Sequence, residues 1–323
     1  MPRVSVAQLR IGASISKQTY LLRDKSVGTT RAGSAMLRVT LADRTGSVPG
    51  VLFDVPGYVA DALVVGRGVQ VTGRVGEFRD QVQISIERIE PAELAHLEEF
   101  LPVARRPREE MELELAALRD GIEDPQLIAL LDVVFDAATY EAFVTAPAAK
   151  SLHHATLGGL LEHTLAVVCL ALETAGRYEE IDQDLLVAAA LLHDIGKIDA
   201  YDPVTFAITT EGALYGHLYM SAARVERAMA QTPGLSLETR RRLIHAILAH
   251  HGKLEYGSPV LPMTLEALVV HHADQMDSAV RGAWEQLQGE GGQGDFTGSS
   301  MMHDTRLYRG STDDDQPQPS LWP

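Results

Sequence analysis

Apolar helical runs that end on histidine and aspartate constrain this chain more than any other feature. Leu185-Leu-Val-Ala-Ala-Ala-Leu-Leu192 leads directly into His193-Asp-Ile-Gly-Lys197. Leu243-Ile-His-Ala-Ile-Leu-Ala249 closes on His250-His-Gly252, and Ala267-Leu-Val-Val270 runs into His271-His-Ala-Asp274. A helix that is apolar all round is buried. Its end therefore delivers coordinating groups into the interior, where an unpaired carboxylate is costly. A cation is the simplest partner. Ten of the twelve histidines lie between His153 and His272, so this chemistry belongs to the second half of the chain.

Seven groups form the candidate ligand set: His163, His193, Asp194, His217, His250, His251 and Asp274. Imidazole and carboxylate hold borderline and hard divalent metals. Seven are too many for one ion with open positions, but they suit two ions sharing a bridging carboxylate. Such a pair serves the hydrolysis of phosphate esters. His245 is rotated by about 140° from His250 on a helix and is excluded as a ligand. His271 is expected to bond Asp274 from three residues away, and Asp277 either orients Asp274 or pairs locally. His272 points elsewhere, and His96 and His303 are read as surface residues.

The first ninety residues read differently. Ala35–Leu41 alternates apolar and polar, and Asp43-Arg-Thr-Gly46 supplies a turn. Ser47–Phe53 follows, with Pro49 and Gly50 predicting an irregular start or bulge. Tyr58–Leu63 is helix-like; Gly68–Val75 and Gln81–Ile89 are strands, with a turn expected around Gly76. Strands at this spacing predict a small barrel. The succession resembles an OB-fold. Net charge is -16, yet residues 1–90 carry 12 Lys/Arg against 8 Asp/Glu, and Arg105, Arg106 and Arg108 follow. Since salt screens charges beyond roughly 10 Å, the local balance decides, and a nucleic-acid partner is not excluded. Arg38, Arg74 and Arg79 are candidate phosphate contacts. Phe53, Tyr58 and Phe78 are expected mainly in the barrel core, with at most one stacking on a base.

The expected organisation is multidomain: an all-β OB-fold barrel over residues 1–92, a linker over 93–108, an all-α bundle over 109–288, and a flexible tail over 289–323. Within the tail, Asp304–Arg309 has enough bulk to dock on the folded body. No apolar run is long enough to span a bilayer, the N-terminus lacks a secretion signal, and the single Cys169 lies in an apolar run that predicts a core position. A cytoplasmic protein is expected.

The ordered pattern His163, His193-Asp194, Asp274 resembles the HD-domain metal-dependent phosphohydrolases. His217 and His250-His251 match the further histidines of that family's two-metal branch. The resemblance implies one ion on His163, His193, Asp194 and Asp274, and a second, bridged by Asp194, on His217, His250 and His251. A closer resemblance is to YhaM-type 3'-to-5' exoribonucleases, which place an OB-fold ahead of such a domain. It is carried by Pro147-Ala-Ala-Lys-Ser-Leu-His-His154, Gly158-Gly-Leu-Leu-Glu-His-Thr164, His193–Lys197, Gly216-His217, His250–Gly252, Glu255-Tyr-Gly-Ser-Pro259 and Pro262.

This resemblance implies a manganese-type exonuclease that hydrolyses single-stranded RNA, or also single-stranded DNA, to nucleoside 5'-monophosphates, and that can assemble as a homo-oligomer. Asp194 and Lys197 are the candidate catalytic residues, although Lys197 also reads as a surface lysine favoured by a helix dipole. Lys150, His153 and His154 are candidate phosphate contacts or supports for the ligands, or else a solvated helix start. Two other readings stay open. One is an HD-type nucleotide or cyclic-dinucleotide phosphohydrolase, disfavoured by Gly252-Lys253 after the histidine pair. The other is a non-catalytic OB-fold RNA-binding protein with one structural metal.

Overall fold

The computed structural model describes residues 3–30, 33–79, 81–150, 154–289, 295–299 and 304–310. The chain divides into two compact units, Met1–Val103 and Ala104–Pro323.

The first unit is a closed five-stranded barrel. Its strands are β1 (Ser14–Thr29), β2 (Ala35–Asp43), β3 (Gly46–Phe53), β4 (Gly68–Phe78) and β5 (Gln81–Ala92), with helix α1 (Gly57–Ala62) between β3 and β4. They close in the order β1-β2-β3-β5-β4. All pairings are antiparallel except a short parallel contact of β3 with β5, Gly50↔Ile84 and Val51↔Ser85. Alternation fills the interior: Leu37, Val39 and Leu41 of β2 point inward with Val69, Val71 and Val75 of β4 and Ile84 and Ile86 of β5. A side chain at Gly50 would come within 2.7 Å of the Ile86 side chain, so the missing Cβ lets β3 and β5 close the barrel. Asp43 accepts from the Thr45 amide at 2.8 Å and thereby shapes the predicted β2–β3 turn.

Several expectations shift here. β3 runs through Pro49 and Gly50 without a register break in its pairing with β2, and β5 joins this strand only at Gly50 and Val51. The irregularities fall instead in β1 and between β4 and β5. Gly76 lies inside β4, which continues to Phe78, and Arg79 takes the positive φ of 53° at the turn. Within the expected linker, Leu97–Glu99 forms a single 3-10 turn. Phe100 and Leu101 are buried, and residues up to Val103 belong to the barrel unit, so the expected linker splits.

The second unit is all helical: α2 (Arg108–Asp120), α3 (Pro125–Val134), α4 (Ala137–Thr145), α5 (Gly159–Ala175), α6 (Gln183–Leu192), α7 (Lys197–Ala200), α8 (Thr210–Tyr215), α9 (His217–Met229), α10 (Leu237–Ala249) and α11 (Leu265–Gln288). α6 is the hub, buried from Leu185 to Leu192 and packed against α3, α5, α10 and α11. Side-chain caps start the helices that matter for the site: Asp182 accepts from Leu185 N, Ser236 from Thr239 N and Thr264 from Ala267 N. No described helix is long and apolar enough to cross a membrane.

Cys169 is exposed on α5, not in the core, with Sγ 3.3 Å from Glu114 Oε1. The apolar run around it wraps the whole helix, while the bundle covers only part of that circumference. In the described part of the tail, Phe296 bridges to Tyr308, and Gln286 of α11 donates to Thr297 and Gly298. The Asp304–Arg309 segment is therefore tied to the end of α11.

Candidate metal centre

The buried ends of α6 and α10 meet the N-terminus of α9, the N-terminal part of α5 and the middle of α11. This convergence brings all seven candidate ligands together. Asp194 lies at the centre and is 1% exposed. Its Oδ2 stands 3.5 Å from His163 Nε2 and 3.3 Å from His193 Nε2. Its Oδ1 faces the other way, 3.4 Å from His217 Nε2 and 3.5 Å from His250 Nε2. His163 Nε2 is also 3.2 Å from Asp274 Oδ1 and 3.3 Å from His193 Nε2, and His217 Nε2 is 3.2 Å from His251 Nε2. Donor atoms bonded to one ion at about 2.1 Å sit roughly 3.0–3.4 Å from one another. The separations in this cluster are of that size.

The tautomers decide what the cluster wants. Nδ1 of His163 faces Asp277 Oδ2 at 2.6 Å, that of His193 the Ala190 carbonyl at 2.7 Å, that of His250 the Ile247 carbonyl at 2.7 Å, and that of His251 the Tyr256 carbonyl at 2.6 Å. These oxygens only accept, so each Nδ1 carries the hydrogen and donates. In the neutral ring, each Nε2 then presents a lone pair. Lone pairs of His163 and His193 facing each other and two carboxylates repel unless positive charge lies between them. Both Asp194 oxygens are also buried without a hydrogen-bond partner among the described residues, although Lys197 Nζ stands 2.6 Å from Oδ2. Two groups of three donors, His163-His193-Asp274 and His217-His250-His251, flank Asp194. The donor set fits divalent metal binding.

The local field has the same polarity. Burial works to lower the basicity of His163, but bonds to Asp194, Asp274 and Asp277 overcome it and hold the imidazole well above its ordinary value. Burial raises the Asp194 carboxyl, and the charges of Lys197 and His193 outweigh it and hold that carboxyl well below its usual range. Burial lowers His217, reinforced by Lys197, His250 and His251. One side of the centre attracts positive charge, and on the other side burial holds His217 and His251 below their ordinary values.

Supporting residues differ from the sequence expectation. Asp277 holds His163, not Asp274. His271 donates to the His250 carbonyl at 2.7 Å and not to Asp274. His154, for which the sequence leaves phosphate contact, support of the ligands and a solvated helix start all open, is 3% exposed, with Nε2 3.1 Å from Asp277 and Nδ1 3.1 Å from Glu162, the position of a support. Glu162 in turn lies 3.6 Å from Arg281. Sequence reasoning missed Glu162 and Arg281 altogether; Glu162 directly precedes His163, and the resemblance drew attention to the histidine alone. His153 lies outside the described residues. Lys150 is exposed, His272 is exposed, and His245 accepts from the Met263 amide, away from the cluster.

In the barrel, Arg38, Arg74 and Arg79 are exposed. Arg38 pairs with Val51, Val51 with Ser85, and Ser85 with Arg74, so the two arginines share one row across the outer face. Phe53, Tyr58 and Phe78 are 55%, 76% and 56% exposed, contrary to the expected core positions, because aliphatic residues already fill this narrow barrel. Arg79 lies over the Phe78 ring at 5.2 Å. The basic cluster beyond is largely engaged: Arg106 pairs with Glu114, Arg108 with Glu112 and Glu141, and Arg105 stacks on Trp284.

A small β-barrel followed by a helical unit built around a buried His-Asp centre defines an OB-fold protein with an HD domain. The HD domain family model matches residues 160–279, and that of the OB-fold nucleic acid binding domain matches residues 21–92. The chain is 32% identical over 297 residues to a 3'-5' exoribonuclease YhaM from Oceanobacillus iheyensis, covering 89% of this chain and 91% of that protein. It is 31% identical over 268 residues to a 3'-5' exoribonuclease YhaM from Bacillus subtilis, covering 81% of this chain and 84% of that one. One solved structure, a domain of replication protein A from Methanococcus maripaludis, matches at 21% identity and a TM-score of 0.25, covering 28% of this chain and 97% of that domain. The chain belongs to the YhaM family of 3'-5' exoribonucleases.

Proposed function

We propose that this protein is a 3'-to-5' exoribonuclease that shortens single-stranded RNA, and single-stranded DNA as a second substrate, to nucleoside 5'-monophosphates. One observation carries the reading. Four imidazoles, those of His163, His193, His217 and His250, turn Nε2 toward a buried Asp194 whose two oxygens face two separate donor groups, and His251 joins the second group through His217. His163, His193, Asp194 and Asp274 would hold one divalent ion, and Asp194, His217, His250 and His251 the other, with manganese the proposed metal. When bound, such a pair activates water and neutralises phosphate charge.

The chain's own groups do the rest. Lys197 is half-buried beside Asp194 and offers fixed positive charge to the developing charge on the phosphate. Arg38 and Arg74, in one row of the barrel, and Arg79 against Phe78 would grip the sugar-phosphate backbone, with exposed aromatics offering faces to bases. Lys150 is a further proposed phosphate contact. A chain with a single cysteine suits a reducing compartment, and we place its work in the cytoplasm.

The test is Asp194→Ala, assayed for bound manganese and for mononucleotides released from a 3'-extended RNA. Loss of both metals together with the activity is expected. Retained activity in a protein stripped of metal contradicts the reading, and cleavage of cyclic dinucleotides in preference to RNA moves it to the other phosphohydrolase class.

A further inference from the structure

A cleft of about 530 Å³ opens beside the metal centre, between the Leu254–Tyr256 turn and α11. Its volume falls within the roughly 300–1,000 Å³ of small-molecule sites. His251 and Asp274, one candidate ligand from each donor group, form part of its wall. A phosphate engaged by the centre therefore lies at that end, and whatever the phosphate carries must occupy the remainder. The remainder is lined by Tyr256, Gln275 and Ser278, with the small Ala279 leaving room beside them.

We propose that this cleft seats the 3'-terminal nucleoside of the strand, a reading that rests on the exoribonuclease function above. Tyr256 joins the two regions. Its carbonyl accepts from His251 Nδ1 at 2.6 Å, which anchors the turn to the centre, while its ring is 55% exposed and lines the cleft. Lys253 Nζ sits 5.3 Å from the centroid of that ring and biases its placement. An exposed aromatic ring at such a rim stacks on any base, since every base has a π-face. Gln275 and Ser278 follow Asp274 by one and four residues on α11, so Ser278 stands one turn beyond the ligand on the same face. No hydrogen bond among the described residues engages either side chain. A carboxamide and a hydroxyl suit the 2' and 3' hydroxyls of a terminal ribose. The cleft thus holds the end of a strand by stacking and sugar contacts, without reading which base it carries.

The experiment uses the full chain with manganese and two single-stranded RNAs that differ only in a normal or an abasic 3'-terminal nucleotide. Tyr256→Ala keeps the backbone carbonyl that serves His251. It is expected to raise KM on the normal RNA about tenfold with bound manganese unchanged, and Tyr256→Phe to restore most of the affinity. The abasic end is expected to cost the wild type a similar factor and to cost Tyr256→Ala almost nothing more. The proposal is overturned if the abasic penalty is the same in both proteins, or if Tyr256→Ala loses metal in proportion to activity, which would make the tyrosine a support for His251 only. If the wild type releases no mononucleotide from either RNA, the exoribonuclease reading fails and takes this one with it; release without the shared penalty removes the nucleoside seat alone.

Discussion

His163 donates from Nδ1 to Asp277 at 2.6 Å, and this bond settles which of its two nitrogens faces the metal centre. Asp277 is in turn flanked by His154, and His154 by Glu162. The chain of contacts fixes both the tautomer and the angle of the ring. Partners of this kind typically contribute 10–100-fold to metal affinity or activity. Asp277→Ala is therefore expected to lower manganese affinity by about that factor, read by metal titration on the purified variant. His154→Ala, one contact further out, should have a smaller effect in the same direction. Equal affinity in wild type and Asp277→Ala would show that packing alone orients His163.

Lys197 is expected to act as a fixed charge, not as a proton donor. Burial works against its charged form, but the Asp194 carboxylate at 2.6 Å overcomes this and holds the ammonium above its ordinary value. A raised value means the charge, and the stability it confers, is fully present below the ordinary lysine range near 10.4 and is lost as pH rises through the raised value. Mononucleotide release should show no decline attributable to Lys197 between about pH 7 and 9. Lys197→Met should lower kcat by roughly 100-fold with metal content retained, and Lys197→Arg should lose less. A wild-type and a Lys197→Met profile that converge at pH 9 would contradict this.

Gly252 sets the exit from the His250-His251 pair. Its φ is +72°, and a Cβ there would overlap the His271 ring, which is pinned by its bond to the His250 carbonyl. Gly252→Ala must both strain the backbone and displace that ring, at a cost of about 1–3 kcal/mol. Calorimetry should show a Tm several degrees lower, and metal titration a weaker site, although no ligand has been changed.

A close approach of a different kind occurs at Gly196. An added Cβ would overlap the Ser221 amide and come within 2.7 Å of the His217 carbonyl. Gly196→Ala is expected to push the start of α9 away from Asp194. The second ion should weaken more than the first, so manganese bound per chain should fall toward one under limiting metal.

Cys169 is expected to react slowly despite its exposure. Burial of the sulfur and its bond to Glu114 push the thiol up to about 11. The thiolate is the reactive form, so at pH 8 only about a thousandth of the protein would carry it. Alkylation by iodoacetamide should keep accelerating as pH rises toward that value, and Glu114→Gln should speed it at pH 8. A rate at pH 8 matching that of a free cysteine would remove this account.

The covalent order of residues announced much of the centre. Apolar runs ending on His193-Asp194 and His250-His251 could only be buried helices with coordinating tips, and burial made a cation the natural partner. Alternation in β2 and β5 announced the barrel in the same way. Both signals are local, because helix and strand periodicity are written within a few turns of chain. What remained hidden depends on which distant elements touch. Asp277 serves His163 and not its neighbour Asp274 because α5 and α11 pack side by side. The sequence leaves His154 open between a phosphate contact, a support for the ligands and a solvated helix start, and only the packing encloses it between Asp277 and Glu162. Cys169 and the three barrel aromatics face outward for the complementary reason: sequence shows that a side chain is apolar, but only the packed structure shows whether the interior has space left for it. The bridging stance of Asp194 is likewise a tertiary fact, since its two oxygens acquire separate partners only when α5, α6, α9 and α10 meet.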